Sequence, residues 1–543
     1  MREFGDFDFI IVGAGSAGCV LANRLSAGGA HKVLLLEAGG ADTNIWIHIP
    51  LGYGKLFADP SVNWMFETTP QRELHGRKIM QPRGKVLGGS SSINGLVYIR
   101  GQKEDFDAWR AQGALGWGFD DVLPYFKKAE DQARGANAYH GDDGPLPVSD
   151  QREPHPLCDA FIAAAQECGY PANDDFNAAV QEGAGYYQTT SRKGVRVSAA
   201  VAYLNPIKSR RNLHIETKAH VTKLVIRDGA VTGIEWRAGD ENFFANAGAE
   251  VILAAGAIGS PQILELSGVG DGEHLRRAGV ETLVDAPGVG AHLQDHLQVR
   301  VVCRAAKPVT FNDDMNNPLR TAWIGLLYLA QRKGPLTVSA GYAGGFFRTT
   351  PTAPSPDIQV HFINYSTTKM GDKLHRFSGF TASSCQLRPQ SRGECHIVSP
   401  DPYAAPAIDP NYLGCDLDRR TNVAGIKLLR EILHAPSLAP FVEREAEPGE
   451  GVRSDEDILD YCRARGASLY HPTCTARMGD FPDAVVDSRL RVRGLRKLRV
   501  VDGSIMPSVV SGNSHAAIVM IAEKASDMIL EEVKNAGEAE VRK

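Results

Sequence analysis

The fold is decided by residues 7–37, which read FDFIIVGAGSAGCVLANRLSAGGAHKVLLLE. The apolar run at 7–12 is typical of a buried parallel strand. The turn at 13–18, GAGSAG, fits the pattern G-x-G-x-x-G and leads into a helix-like stretch, and a second apolar run ends at Glu37. A strand, a glycine turn, a helix and a second strand within about 30 residues predict a dinucleotide-binding domain of the Rossmann type.

The three glycines of this turn have separate physical roles. Gly13 permits the tight turn, Gly15 lets the backbone approach a pyrophosphate, and Gly18 allows the helix to pack on the strand. Because 56 of the 543 residues are glycine, a bare match is weak, but the flanking strand and helix argue against a turn that binds nothing. Glu37 lies 19 residues beyond Gly18. A carboxylate at this position accepts hydrogen bonds from the ribose hydroxyls of a dinucleotide. It also disfavours the 2′-phosphate of NADP.

Length and composition exclude several classes of protein. A chain of 543 residues predicts two or more packed units, and a net charge of -5 argues against a nucleic-acid partner. The nine cysteines form no C-x-x-C pair, which argues against a metal site and against a disulfide framework. The start, MREFGD, has no signal pattern, and no apolar run approaches the roughly 20 residues of a membrane span. We therefore expect a cytoplasmic protein, and peripheral contact with the inner membrane stays open.

Further elements follow from the same patterns. Apolar runs at 250–254 and 496–501 predict buried strands, and alternation over 213–236 predicts antiparallel strands with a turn at Asp228-Gly229. Helices are predicted at 416–434, at 454–465 and from about 515 to 533, and TAWIGLLYLA at 321–330 predicts a buried helix.

A loop with many glycines and serines lies at 82–101, PRGKVLGGSSSINGLVYIRG, and its backbone N–H groups suit a planar ligand. In this loop the sequence resembles the glucose-methanol-choline (GMC) oxidoreductases, which carry such a loop across the flavin. GAIGSPQILELSGVG at 256–270 and PGVGAHLQDH at 287–296 resemble further family motifs. The resemblance covers essentially the whole chain.

This resemblance implies an α/β protein of two domains. A Rossmann-like FAD-binding domain is expected from residues 1–150, 194–305 and 466–543. A discontinuous substrate-binding domain, built on an antiparallel sheet flanked by helices, is expected from 151–193 and 306–465.

The resemblance also implies which residues contact FAD. Four sets match family positions: Gly13, Gly15, Gly18 and Glu37 for the ADP part; Val86, Gly89, Asn94 and Gly95 for the flavin-side loop; Val221 for adenine; Asp502 and Gly503 for the pyrophosphate side. Some members tether FAD to a histidine where this chain has Ile93. Isoleucine has no nucleophile, so FAD is expected to be bound non-covalently.

Two histidines match the family's catalytic positions. His471 begins HPTCTARMG, and His515 lies in GNSHAA at 512–517. A neutral imidazole accepts the hydroxyl proton of an alcohol while a hydride leaves for flavin N5, and a second polar group orients the substrate oxygen. The resemblance implies His471 as the first of these groups and His515 as the second, although which histidine dominates proton abstraction stays open.

The implied function is FAD-dependent oxidation of an alcohol to the aldehyde, with electrons passed to a quinone-like acceptor. An oxidase that reduces O₂ to hydrogen peroxide is the first alternative, and a non-redox FAD-dependent lyase is the second. Apolar residues of the second domain suggest a primary alcohol with an apolar or aromatic body: Trp323, Leu326, Leu327, Tyr328, Phe346, Phe347 and Phe362. His361 is a further candidate for the substrate cavity.

Overall fold

Two large β-sheets organise the chain. The structure is a computed structural model, and it describes residues 1–369 and 371–541. Each large sheet has seven strands, and each draws them from distant parts of the sequence. The α/β fold class expected from the sequence is confirmed.

The strands of the two large sheets are, in chain order, β1 Arg2–Val12, β2 Val33–Glu37, β3 Gly183–Tyr186, β4 Leu213–Thr217, β5 His220–Arg227, β6 Ala230–Ala238, β7 Glu241–Leu253, β8 Leu297–Ala305, β9 Ala343–Phe347, β10 Ile358–Ile363, β11 Gly379–Gln386, β12 Val442–Glu447, β13 Ala467–Ser468 and β14 Leu498–Val500. The helices are α1 Ser16–Leu25, α2 Ile45–His48, α3 Tyr53–Leu56, α4 Lys103–Ala111, α5 Phe119–Ala129, α6 Pro156–Glu167, α7 Gly256–Leu266, α8 Gly272–Arg277, α9 Phe311–Met315, α10 Pro318–Gln331, α11 Asp416–His434, α12 Asp455–Arg465 and α13 His515–Val541.

The first sheet has the order β4–β2–β1–β7–β6–β5, and β14 pairs with β7. Strands β4, β2, β1, β7 and β14 run parallel, as the strand–helix–strand unit at 7–37 predicts. Strand β2 is buried along its whole length, and α1 packs against β1 and β2. The glycine turn and Glu37 therefore lie together at the carboxyl edge of the sheet.

The hairpin predicted within 213–236 is confirmed in part. Strands β5 and β6 pair antiparallel, and the turn at Asp228-Gly229 has positive φ angles of 50° and 69°. Strand β4 differs from the prediction, because it pairs parallel with β2 instead of joining the hairpin. Side chains alternate between the two faces in parallel and in antiparallel sheets alike. The alternation within 213–217 therefore does not distinguish parallel from antiparallel pairing.

The second sheet has the order β12–β8–β11–β10–β9–β3 and is antiparallel, with β13 beside β8. Helices α6 and α11 cover one of its faces. The domain boundaries expected from the sequence placed 297–305 and 467–468 with the first sheet, whereas both segments are strands of the second. The division into two domains otherwise stays a prediction.

Helix α10 contains the segment that was predicted to be a buried helix. The helix is present, but only Ile324 and Tyr328 are buried, whereas Trp323 is 63% exposed and Leu329 is 66% exposed. The prediction of burial is therefore wrong for one side of this helix. Within the described residues, no helix combines the length and the apolar character that a bilayer span requires.

Candidate active site

A long groove runs along the carboxyl edge of the first sheet, where β1 turns into α1. Gly18 allows this turn to close, because a Cβ atom there would lie 1.8 Å from the carbonyl oxygen of Gly13. The groove is lined by Gly13, Gly15 and Glu37, as the pattern predicted. Gly18 itself lies behind the lining, in the helix–strand contact that its role requires.

Glu37 is buried and holds the turn together. Its two carboxylate oxygens accept hydrogen bonds from the backbone N–H groups of Ala14, at 2.9 Å, and Gly39, at 2.8 Å. Burial raises the pKa of this carboxyl to about 7. Each oxygen has a second lone pair, so a ribose hydroxyl can still donate to it.

The loop at 82–101 packs directly on the glycine turn. Gly89 has a φ of +52°, and a Cβ atom at this position would lie 2.7 Å from the Cα atom of Gly15. Asn94 accepts a hydrogen bond of 2.7 Å from the guanidinium of Arg196, which fixes its amide. Val86 is buried in a small core and does not line the groove.

The last predicted cofactor residues close the far side of the groove. Asp502 accepts hydrogen bonds from the backbone N–H of Gly256, at 2.8 Å, and the hydroxyl of Ser260, at 2.6 Å. Burial raises the pKa of this carboxyl. Gly503 and Val221 line the groove beside it.

A second cavity continues the groove under the second sheet. The two share Ser16, Arg83, Ser90, Ser514 and Ile518 in their linings. Asn94, Gly95 and both predicted catalytic histidines line the second cavity. The structure thus brings nearly all the predicted residues to one continuous space.

This space fits the FAD that the sequence resemblance implies. The N-terminus of α1, a helix of ten residues, opens on the groove, and the free N–H groups of a first helical turn suit a pyrophosphate. In the second cavity, Nε2 of His515 is buried and has no hydrogen-bond partner among the described residues, so it is available to a bound ligand.

His471 lies in the second cavity, on the loop that follows β13. Its backbone N–H donates to Asp295 Oδ1 at 2.7 Å, and its ring lies between His296 and Asn513. Burial lowers the pKa of His471 well below 6.5, and the positive charge of Arg83 acts in the same direction. The imidazole is therefore neutral near pH 7.

Hydrogen bonds fix which ring nitrogen of His471 carries the proton. Nε2 of His296 lies 2.8 Å from the carbonyl oxygen of Leu387, which only accepts, so this nitrogen is the donor. Burial lowers the pKa of His296, so its ring is neutral and its Nδ1 is an acceptor. This acceptor lies 3.0 Å from Nδ1 of His471. His471 accordingly donates from Nδ1 and keeps the lone pair of Nε2 for the cavity.

Asn513 is the group that faces this lone pair. Its Nδ2 lies 3.3 Å from Nε2 of His471, and its Oδ1 accepts from Nε2 of Gln359 at 3.1 Å. The bond from Gln359 fixes the amide so that its NH₂ group points to His471. Sequence reasoning missed Asn513, although it lies two residues before His515 in the same motif.

His515 has a different position from the one predicted. It is the first residue of α13, and its Nδ1 lies 2.9 Å from Oγ of Ser16, at the start of α1. Burial lowers the pKa of His515 to about 4. The pairing of His515 with His471 is therefore wrong, because Asn513 occupies the place beside His471.

The apolar residues from which the substrate was inferred do not line either cavity. Phe347 and Phe362 belong to the core on the helix-covered face of the second sheet, and Trp323 and Leu326 are exposed. His361 does line the second cavity, and its Nδ1 is buried without a partner among the described residues. The apolar wall of this cavity is formed instead by Tyr53, Phe57, Ile93, Leu96, Val97, Ile363, Leu469, Tyr470 and Ile518.

Comparison with known proteins agrees with this arrangement. Two family models described as GMC oxidoreductase match residues 7–298 and 389–522. An alcohol dehydrogenase [acceptor] from Pseudomonas putida is 44% identical over 97% of this chain and 96% of its own. The mitochondrial choline dehydrogenase of Homo sapiens is 42% identical over 96% of this chain and 90% of its own.

Solved structures show the same fold. Pyridoxine 4-oxidase from Mesorbium loti superposes with a TM-score of 0.87 at 33% identity, covering 96% of this chain and 98% of its own. A variant of formate oxidase from Aspergillus oryzae superposes with a TM-score of 0.92 at 27% identity, covering 98% of this chain and 100% of its own.

Proposed function

Because this chain belongs to the GMC oxidoreductase family and is a flavin enzyme that acts on alcohols, we propose that it oxidises a primary alcohol to the aldehyde with His471 as the base. FAD is its cofactor. The observation that carries the proposal is the unprotonated Nε2 of His471, which is held toward a buried cavity beside the NH₂ group of Asn513.

His471 and Asn513 have different roles at the substrate oxygen. His471 Nε2 takes the hydroxyl proton, and a low pKa keeps this nitrogen unprotonated and ready to accept it. The NH₂ group of Asn513 donates to the same oxygen and stabilises the negative charge that develops there. When bound, FAD accepts the hydride that leaves the alcohol carbon.

Other residues of the proposal hold the cofactor. We assign Gly13, Gly15 and Glu37 to the ADP part, and Asn94 and Gly95 to the flavin part, because they line the two connected cavities in that order. Ile93 has no nucleophilic atom, so we expect FAD to be released intact when the protein is denatured by acid.

An alcohol oxidase that reduces O₂ is the second candidate function. It is supported by the structural likeness to pyridoxine 4-oxidase and formate oxidase. The dehydrogenase reading is preferred, because the P. putida relative has a higher identity of 44%.

A panel of alcohols tests the proposed reaction. Anaerobic mixing with primary alcohols should bleach the oxidised flavin, and a dye acceptor should then support turnover. Oxygen alone should support much slower turnover, measured as hydrogen peroxide. If dithionite bleaches the bound flavin but no alcohol does, the proposed reaction is wrong. Equal rates with oxygen and with dye would favour the oxidase.

An exposed apolar surface supports a quinone as the electron acceptor. On α10, Leu319, Trp323, Leu326 and Leu329 share one face and are 57–83% exposed. Residues 315–334 include no acidic residue, and the helix is followed by the cations Arg332 and Lys333, whereas Arg320 on the helix pairs with Asp314 at 3.3 Å. Apolar side chains next to cations suit the surface of an anionic bilayer, in which quinones dissolve.

Charged substitutions on the exposed face of α10 should lower turnover with a membrane-held quinone but not turnover with a water-soluble dye. The double change Trp323→Glu with Leu326→Glu should lower binding to anionic vesicles at least tenfold, because two apolar side chains no longer enter the bilayer. Turnover with a quinone held in the vesicles should fall in parallel, while turnover with a water-soluble dye should not. The matched control is Leu417→Glu, at another exposed leucine (38% exposed). Undiminished vesicle binding by the double variant would contradict the assignment.

A further inference from the structure

One basic side chain enters the second cavity from the sheet above it. On β8, Leu297, Val299 and Val301 point to the core on the helix-covered face. The residues between them, Gln298 and Arg300, line the cavity on the opposite face, as the alternation of a strand requires.

Arg300 lies in a polar row that crosses the sheet. It is directly opposite Ser383 on β11, and Ser383 is directly opposite His361 on β10. All three line the cavity. Two strand spacings separate Arg300 from His361, which is about 10 Å. The row therefore places three polar side chains on the wall of the cavity, with the cation at one end.

Arg300 has no partner for its charge in the part of the chain that the structure describes. Among the described residues, no carboxylate oxygen lies within 4.0 Å of its guanidinium, and the guanidinium donates no hydrogen bond. The contrast with two other arginines is direct. Arg304 on the same strand pairs with Glu443 at 3.0 Å, and Arg83 in the same cavity donates to the carbonyl oxygen of Tyr470.

The surroundings of Arg300 leave its charge uncompensated. No Asp or Glu appears among the described residues that line the second cavity. Burial raises the pKa of Tyr470, and the positive charge of Arg300 acts against this rise, which places the charge close to the ring beside His471. A half-buried cation without a partner is costly, so the site is suited to a ligand that brings a negative charge.

We propose that the natural substrate is a primary alcohol with an apolar or aromatic body and a carboxylate that pairs with Arg300. The inference rests on the proposed alcohol oxidation. The body packs against Tyr53, Phe57 and Tyr470, the hydroxyl meets His471, and the carboxylate meets the guanidinium. A cationic alcohol such as choline is disfavoured, because it would bring a second positive charge beside Arg300.

A matched set of substrates tests this proposal. Benzyl alcohol, 4-(hydroxymethyl)benzoate and 4-(hydroxymethyl)benzyltrimethylammonium share a reacting group and a ring but differ in charge. The holoenzyme should have the highest kcat/KM with the carboxylate and the lowest with the ammonium compound. Arg300→Gln should lower kcat/KM for the carboxylate about tenfold to a hundredfold, the range of a charge-assisted hydrogen bond. The same variant should leave benzyl alcohol within about threefold.

Two controls make the outcomes distinguishable. Arg300→Lys keeps the charge and should retain part of the preference for the carboxylate, and Arg304→Gln, on the same strand but paired with Glu443, should not change it. Equal kcat/KM for the three compounds in the holoenzyme, or a parallel loss for all three in Arg300→Gln, would overturn the inference. If benzyl alcohol reduces the flavin in either case, the proposed oxidation stands without it.

Discussion

Replacing His471 by alanine should slow the anaerobic reduction of bound FAD by alcohol about 10²–10⁴-fold, the usual contribution of a positioned acid–base group. In the described structure, the hydrogen bonds from His471 through His296 to Leu387 fix the unprotonated Nε2 of His471 toward the cavity. FAD content should be unchanged, because His471 does not line the groove of the nucleotide part. Stopped-flow bleaching of the oxidised flavin measures the effect.

The dependence on pH tests the same assignment. Burial lowers the pKa of His471, so the imidazole stays neutral from pH 6.5 upward. The titration of His471 should therefore leave the reduction rate of the wild type constant above pH 6.5. The rate should fall only at lower pH, where the imidazole becomes protonated. A His471→Ala variant that bleaches at the wild-type rate would remove His471 from the mechanism. Loss of FAD from the variant would point to a structural role instead.

Replacing Asn513 by alanine should slow the same step about 10²-fold, or roughly 2.7 kcal/mol, since a hydrogen-bond donor to a developing oxyanion contributes this much. His515→Asn should reduce the rate by no more than about tenfold, because His515 contacts Ser16 and not His471. The comparison of the two variants under anaerobic conditions decides between Asn513 and His515 as the partner of His471.

Each outcome of this comparison has a clear meaning. A His515→Asn enzyme that is slowed as much as His471→Ala would restore the original pairing of the two histidines. An Asn513→Ala enzyme with the wild-type rate would show that the amide contacts neither the substrate nor its transition state. Flavin absorbance spectra of both variants check that the cofactor site is intact.

The strand–turn–helix–strand unit at the start of the first sheet could be predicted because its signal is local. Strand β1, the glycine turn, α1 and β2 follow one another within residues 2–37. The elements that pack together are therefore neighbours in the sequence, where a short pattern can reveal them. Helix α11 has the bounds 416–434 that its apolar period predicted. In the segment 2–37 and in α11, the burial of a residue follows from its position in the apolar repeat of its own strand or helix.

The errors occur where burial depends on distant segments. Helix α10 has apolar residues on every side, so its sequence does not reveal that Ile324 is buried while Trp323 is exposed. Similarly, nothing within GNSHAA tells which polar residue reaches the cavity. That choice depends on the start of α13 at His515, which turns the histidine toward Ser16 and leaves Asn513 facing His471.

Two contacts join the start of the chain to its last helix, α13, and their distance along the sequence bears on when the protein can finish folding. Ser16 meets His515, and Arg24 meets Glu523, across 499 positions of sequence in both cases. The nascent chain cannot complete either contact until almost all of it has been synthesised, and contacts this distant fold slowly. We therefore expect FAD to be loaded only after nearly the whole chain has been synthesised, and a chain truncated before residue 500 would lack both contacts and Asn513.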